Sequence, residues 1–192
     1  FFKQKTAYEI STRDWSSDVC SSDLAHVQPT RPYQIANGVQ ASLVEVDVDT
    51  GLVRLLRHWV VDDCGRIINP LLVDEQLRGG VVQGIGAALF EECRYDDQAQ
   101  LLTGTLADYL VPMAAEMPDI VIGHVETPVV GSLLGGKGVG EASIVGAAAA
   151  VANAVNDALS SLGVEVFELP ITPERVLRAV GAVGDPLSPR AS

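Results

Sequence analysis

Lysine is nearly absent from this chain. Only Lys3, Lys5 and Lys137 occur in 192 residues, and the 13 basic residues are outnumbered by 25 acidic ones. The formal net charge is −12 at pH 7. Nucleic acids and anionic membrane surfaces attract basic proteins, because their own phosphate charges are neutralised on binding. The composition therefore argues against nucleic acid and anionic membranes as partners.

Cysteine and histidine are also scarce. The chain has three cysteines, Cys20, Cys64 and Cys93, and its three histidines share no metal-ligand spacing. This set makes neither a zinc site nor an iron–sulfur cluster, and it suggests no disulfide framework. We expect a protein of a reducing compartment, the cytoplasm. A signal peptide would precede the sequence, so export stays possible.

Long apolar runs are missing too, because Gly, Asn and Asp interrupt the best one, and we expect no membrane span.

The first residues have another origin. Residues 14–24 are the translation of a common sequencing adapter, and residues 3–10 resemble another part of it. We interpret residues 1–24 as a non-native, disordered segment and exclude them from the fold. The protein itself is then expected to begin mid-gene near Ala25 and to end in a disordered tail, residues 181–192.

The hydrophobic pattern between these ends predicts strands and helices in blocks. Apolar alternation over 38–49 and 52–61 predicts a β-hairpin, and residues 120–126 and 164–169 have the pattern of further strands. A helix is predicted from Asn69-Pro70 to about Cys93, and a buried one over 142–162. Thr172 and Pro173 cap a short last helix. Residues 25–180 are thus expected to form an α+β fold.

Glycine is concentrated in two places. Four glycines, at positions 79, 80, 84 and 86, lie inside the first predicted helix, where each costs up to about 1 kcal/mol relative to Ala. Such a cost suggests that something packs very close to this helix.

The second concentration is the glycine loop, residues 135–141, with the sequence GGKGVGE. Residues 131–137 satisfy the G-x-x-x-x-G-K pattern of a phosphate-binding loop, but Gly138 stands where Ser or Thr would bind magnesium. The loop ends in Glu141, at the start of the apolar helix. This carboxylate is either a helix N-terminal acid, favoured by the helix dipole, or a functional group. The residues alone leave both interpretations open.

Three segments together resemble the C-terminal part of the molybdopterin-binding domain in the molybdenum hydroxylase large subunit. That family includes xanthine dehydrogenase, aldehyde oxidase and aerobic carbon monoxide dehydrogenase. The segments are VVDDCG with INP at 60–70, QLRGGVVQGIG at 76–86, and KGVGEA at 137–142. The run LPITPERV at 169–176 fits the usual ending of the family.

The resemblance implies a catalytic residue and a cofactor site. Glu141 would be the active-site base. It would take a proton from a hydroxyl on molybdenum, the oxygen would attack an aldehyde or N-heterocycle carbon, and hydride would pass to the metal centre. The cofactor would be molybdopterin in its cytosine dinucleotide form. The pterin would hold the molybdenum, with no protein side chain as a ligand. The implied cofactor-binding residues are Gln76, Gly79, Gly80, Lys137, Gly138, Val139 and Gly140. The last four, in the glycine loop, would bind through their backbone N–H groups.

The same resemblance implies partners. Iron–sulfur clusters and FAD would lie on other subunits or domains, and the substrate would be an aldehyde, a heterocycle or carbon monoxide. The chain alone is expected to be inactive. Two alternatives stay open: a non-catalytic nucleotide- or phosphate-binding domain that uses residues 135–140, and an inert truncation.

Overall fold

A computed structural model of the chain describes residues 35–183. The segment interpreted as adapter-derived, residues 1–24, and residues 184–192 of the predicted tail lie outside the described residues.

The predicted hairpin forms. Strand β1 (Asn37–Val46) pairs antiparallel with β2 (Val53–Asp63), and β3 (Ile120–His124) adds parallel to β2. The register of the hairpin skips Leu56, which is the extra residue of a bulge. The bulge moves the inward side chains of β2 from odd to even positions, so that Leu55 and then His58, Val60 and Asp62 are buried.

Two helices pack against one face of this sheet, and a third begins beside the hairpin turn. Helix α1 (Pro70–Leu89) begins at the predicted Asn69 cap, whose side chain accepts a hydrogen bond from the N–H of Leu72. Helix α2 (Ala142–Leu159) packs against both α1 and β1 and ends in a short 3-10 turn (Ser160–Leu162). Helix α3 (Pro173–Ala179) begins at Thr172, as predicted, and another 3-10 turn spans Ala114–Glu116. The mixed sheet with helices is an α+β fold.

The main core lies between α2, α1 and the sheet. Its fully buried members are mostly aliphatic side chains from these elements, among them Val60, Val81, Ile85, Val151 and Leu159. The opposite face of the sheet is apolar and exposed within residues 35–183. Val39 lies opposite Val61, and Trp59 lies beside Val121. Such a face normally has a covering layer in a folded domain.

Two predictions about local structure were wrong. Residues 164–169 form no strand, because both backbone groups of Val166 bond the side-chain amide of Asn156 instead of a strand edge. Helix α1 ends at Leu89 rather than near Cys93, because the N–H groups of Phe90 and Glu91 both bond the carbonyl of Gly86.

The apolar helix also departs from expectation. Only one stripe of α2 is buried among the described residues, whereas Val145 is 79% exposed. By length and composition alone, the segment Ala142–Leu162 could cross a membrane, which corrects the prediction that no run reaches that length. The buried stripe of α2 contacts α1 and β1, and a core helix can meet the same criterion.

Candidate functional site

The glycine loop is fastened to the segment that follows β2. Gly136 forms an antiparallel bridge with Gly65. The N–H of Lys137 donates to the carbonyl of Cys64 at 2.7 Å, and the N–H of Arg66 donates to the carbonyl of Gly135 at 3.0 Å. The first and third segments of the sequence analysis are therefore neighbours. The N–H of Lys137 was expected to bind the cofactor, but it is already used inside the protein.

The Lys137 side chain also turns inward. Its Nζ donates to Asp63 Oδ2 at 2.8 Å and to Thr127 Oγ1 at 2.7 Å, and the Lys137 and Asp63 side chains are only 8% and 9% exposed. The hydrogen bond from Lys137, followed by that from the Thr127 hydroxyl, holds the pKa of Asp63 well below its usual range. Asp63 also accepts from the N–H of Gly65, which is the turn-capping role that its place at a strand end suggests.

The second segment joins the loop at its other end. Gln76, on α1, donates from Nε2 to the carbonyl of Gly140 at 2.8 Å. Its Oε1 has no hydrogen-bond donor among residues 35–183. The glutamine expected to touch the cofactor thus contacts the peptide group that precedes Glu141.

Between these two attachments the backbone is accessible. Within the described residues, no acceptor bonds the N–H groups of Gly138, Val139 or Gly140. A Cβ at Gly138 or Gly140 would meet nothing within 4 Å, and the same holds at Gly79 on α1. An anionic ligand could therefore reach three successive backbone donors, which is the chemistry that the sequence analysis assigned to this loop.

The other glycines of α1 serve packing. A Cβ at Gly80 would collide with Ser143 Oγ, and one at Gly84 would lie 2.6 Å from the Cβ of Ala147. Both positions face α2, so Gly80 does not offer the open approach that was expected of it. At Gly86 the close neighbours are Glu91 and Pro112. The expectation that something packs very close to this helix is confirmed, and at two of the four positions it is α2.

Glu141 occupies the N-cap position of α2. Its side chain makes no capping hydrogen bond, it is exposed, and it has no hydrogen-bond or ion-pair partner among residues 35–183. A capping hydrogen bond therefore does not account for this carboxylate. It stands directly after the three accessible N–H groups.

A buried polar network beneath α2 was missed by the sequence reasoning. His58 is fully buried, with Nδ1 at 2.8 Å from Ser42 Oγ and Nε2 at 3.0 Å from Gln40 Oε1. Gln40 Nε2 donates to the carbonyl of Ser143, in the first turn of α2. Burial lowers the pKa of His58 to about 4. The signal was in the sequence: Gln40 and Ser42 are polar residues on the inward face of β1.

Asp62 lines a separate cleft of about 220 Å³ with Gln40, Ala142 and Gly146. It is 2% exposed, and its Oδ2 has no hydrogen-bond partner among the described residues. Burial, followed by the charge of Asp63, raises the pKa of this carboxyl. Of the two aspartates at the end of β2, Asp63 thus ties the loop and Asp62 faces the cleft.

The chain is similar to known proteins in both sequence and structure. A family described as the molybdopterin cofactor-binding domain matches residues 6–118. This range includes part of the segment interpreted as adapter-derived, contains Gln76, and ends before the glycine loop. The large subunit of nicotine 6-hydroxylase from Paenarthrobacter nicotinovorans is 47% identical over 161 residues, which is 84% of this chain and 20% of that protein.

The chain belongs to the molybdenum hydroxylase large-subunit family. The carbon monoxide dehydrogenase large chain of Afipia carboxidovorans is 35% identical over 69% of this chain and 16% of its own length. The crystal structure of quinoline 2-oxidoreductase from Pseudomonas putida 86 superposes with a TM-score of 0.74 at 49% identity, over 76% of this chain and 19% of that one. The chain spans only 16–20% of the length of these relatives.

Proposed function

We propose that this chain carries the active-site base and part of the cofactor site of a molybdenum hydroxylase. One observation carries the proposal: Glu141 presents a carboxylate without a partner among residues 35–183, directly after three accessible backbone N–H groups. A general base needs a side chain that is free to accept a proton, and a helix start stabilises its ionised form. Glu141 makes no capping hydrogen bond, so that local structural role does not account for it.

The residues present fit an anionic, nucleotide-like cofactor. The N–H groups of residues 138–140 are donors, and the open surface at Gly79 allows close approach. Gln76 Oε1 is an acceptor without a donor among residues 35–183. When bound, a molybdenum–molybdopterin cofactor would supply the oxygen that is transferred to substrate carbon and accept the two electrons released. The protein would hold the anionic part of that cofactor through the loop. Glu141 would accept a proton at its carboxylate oxygen.

The substrate that we propose is an aromatic N-heterocycle, with an aldehyde as the second possibility. Two relatives, at 47% and 49% identity, carry the names of enzymes that act on nicotine and quinoline, which are both N-heterocycles. The carbon monoxide dehydrogenase relative is 35% identical, which favours the heterocycle class.

The complete enzyme is proposed to use the cytosine dinucleotide form of the cofactor. Iron–sulfur and FAD partners, as separate subunits or domains, would carry the electrons away. We place it in the cytoplasm.

The test is substitution of Glu141 in the complete large subunit, purified with its partner subunits. Glu141→Gln keeps the size of the side chain and removes the base, so we expect turnover of quinoline or nicotine to fall by about 10²–10⁴-fold at unchanged molybdenum content. Glu165→Gln is the matched control, because Glu165 is exposed and far along the chain from the loop. Wild-type turnover by a fully loaded Glu141→Gln enzyme would refute the proposal.

A domain that only binds a nucleotide through residues 135–140 is the rival function. Metal analysis of the complete protein separates the two. Molybdenum in a 1:1 ratio with a released pterin nucleotide supports the hydroxylase, and metal-free protein with bound nucleotide supports the rival.

A further inference from the structure

Lys137 belongs to the motif that precedes Glu141, yet its side chain points away from the accessible part of the loop. Its ammonium is 2.8 Å from Asp63 Oδ2 and 2.7 Å from Thr127 Oγ1, with 8% of the side chain exposed. A buried ammonium that is already neutralised by a carboxylate has little charge left to offer an anionic ligand.

Asp63 is the junction of this cluster. Its Oδ1 accepts from the N–H groups of Gly65 at 2.9 Å and Thr127 at 3.1 Å, and its Oδ2 accepts from Lys137 Nζ and the Thr127 hydroxyl. One carboxylate therefore ties together the end of β2, the segment after β3 and the glycine loop. Breaking a buried pair of this kind leaves an uncompensated charge, so its members are strongly coupled.

The stretch from Lys137 to Glu141 contains the three donors proposed for the cofactor, whereas Glu141 starts a helix held by α1 and β1. Two glycines make the stretch flexible. Its attachments are the Lys137 cluster at the beginning, the partly buried side chain of Val139, and the bond from Gln76 to Gly140 at the end. The distance between the bound cofactor and the Glu141 carboxylate therefore depends on these anchors.

We propose that Lys137 is a positioning residue, which acts through Asp63 and Thr127 to hold the loop at the correct distance from Glu141. This inference rests on the proposed function. A displacement of about 1 Å between reacting groups can lower the rate about 100-fold. The Asp63–Lys137–Thr127 cluster would then control the rate of the chemical step without contacting cofactor or substrate.

The experiment uses the complete enzyme with its partner subunits and quinoline as the probe substrate. The variants are Lys137→Met, Asp63→Asn and the double variant, each assayed for molybdenum per subunit, kcat per bound molybdenum, and KM. For Lys137→Met we expect molybdenum content within about twofold of wild type, unchanged KM, and kcat per molybdenum reduced about 10- to 100-fold. A purely structural role would lower the amount of loaded enzyme and leave kcat per molybdenum unchanged.

The double variant tests whether Lys137 acts through Asp63. If it does, the double variant loses no more activity than the worse single variant, because the two residues form one unit. Losses that multiply would overturn the proposal, because the two residues would then act independently. A loss of molybdenum with normal kcat per molybdenum would also overturn it, because that outcome indicates a purely structural role.

Two further variants keep the test decisive. Thr127→Val removes one hydroxyl and leaves the charge pair, so this variant should fold even if Lys137→Met does not. We expect its kcat per molybdenum to fall about 3- to 10-fold. Arg54→Met is the matched control, because it breaks an exposed ion pair with Glu45, 3.0 Å long, at the far end of the hairpin, and it should leave kcat unchanged.

Glu141→Gln separates the two proposals. If it is inactive while a loaded Lys137→Met enzyme has normal kcat, the positioning role alone fails. If it turns over normally, the proposed function and the inference built on it fail together.

Discussion

The close packing of α1 on α2 leads to a quantitative prediction for Gly84→Ala. An added Cβ would lie 2.6 Å from the Cβ of Ala147 and 3.0 Å from the carbonyl oxygen of Ile144, which is backbone. Carbon atoms prefer a separation of about 3.5–4.0 Å, so the helices must separate by about 1 Å or distort. Overpacking of this size costs about 1–3 kcal/mol.

The helix itself gains from the same substitution. Replacing Gly by Ala inside a helix is worth about 1 kcal/mol, so the net effect of Gly84→Ala ranges from neutral to a loss of about 2 kcal/mol. Gly79→Ala, in the same helix, is the matched control. Its added Cβ meets nothing within 4 Å, so it should show the full gain of about 1 kcal/mol.

The measurement is equilibrium urea unfolding of the chain, followed by far-UV circular dichroism. The free energy of unfolding should be lower for Gly84→Ala than for Gly79→Ala by about 1–3 kcal/mol. If Gly84→Ala were as stable as Gly79→Ala, the close approach of the two helices would be refuted. In the complete enzyme Gly79→Ala should instead reduce the molybdenum content, because we propose that the cofactor approaches α1 there.

Further predictions concern the buried network, the loop and the hairpin turn. In the folded protein the pKa of His58 is about 4, whereas its ordinary value is 6.5. Between these two values the unfolded state therefore binds more protons, and the free energy of unfolding falls as the pH drops from 6.5 to 4. The loss reaches about 3 kcal/mol, and His58→Gln should remove this part of the pH dependence of urea unfolding. Gln76→Leu removes the bond to Gly140 and should lower kcat per molybdenum about tenfold, measured at equal molybdenum content. Gly51 has φ +75° and a Cβ there would collide with Pro173, so Gly51→Ala should lower the free energy of unfolding by at least about 1 kcal/mol in urea titrations.

Local signals in the sequence predicted the elements whose causes are local. Asn69-Pro70 and Thr172-Pro173 start helices because the caps bond backbone groups three residues away. The hairpin follows from alternation and a tight turn that contains Gly51. The segment 164–169 has the same kind of pattern, but no strand within the described residues pairs with it, and Val166 bonds the side chain of Asn156 instead.

The candidate site divides in the same way. The segments that form the site could be predicted from the sequence, because they carry the family resemblance and the comparisons show the family. The role of each residue within the site could be predicted less well. Lys137 was assigned to the cofactor by its place in the motif, but its partner Asp63 lies 74 positions earlier in the chain, and no local pattern reveals such a pairing.

The sequence by itself determined the acidic character of this protein, its helix starts, its hairpin and its family. These depend on composition, on neighbouring residues or on ordered motifs. Only the tertiary structure decided which glycines of α1 face α2, which of them remain exposed, and where the ammonium of Lys137 lies. It also left the Glu141 carboxylate without a partner among residues 35–183. The physical reason is that each of these depends on the distance between residues far apart in the chain, and that distance is set when α1, α2 and the sheet pack together.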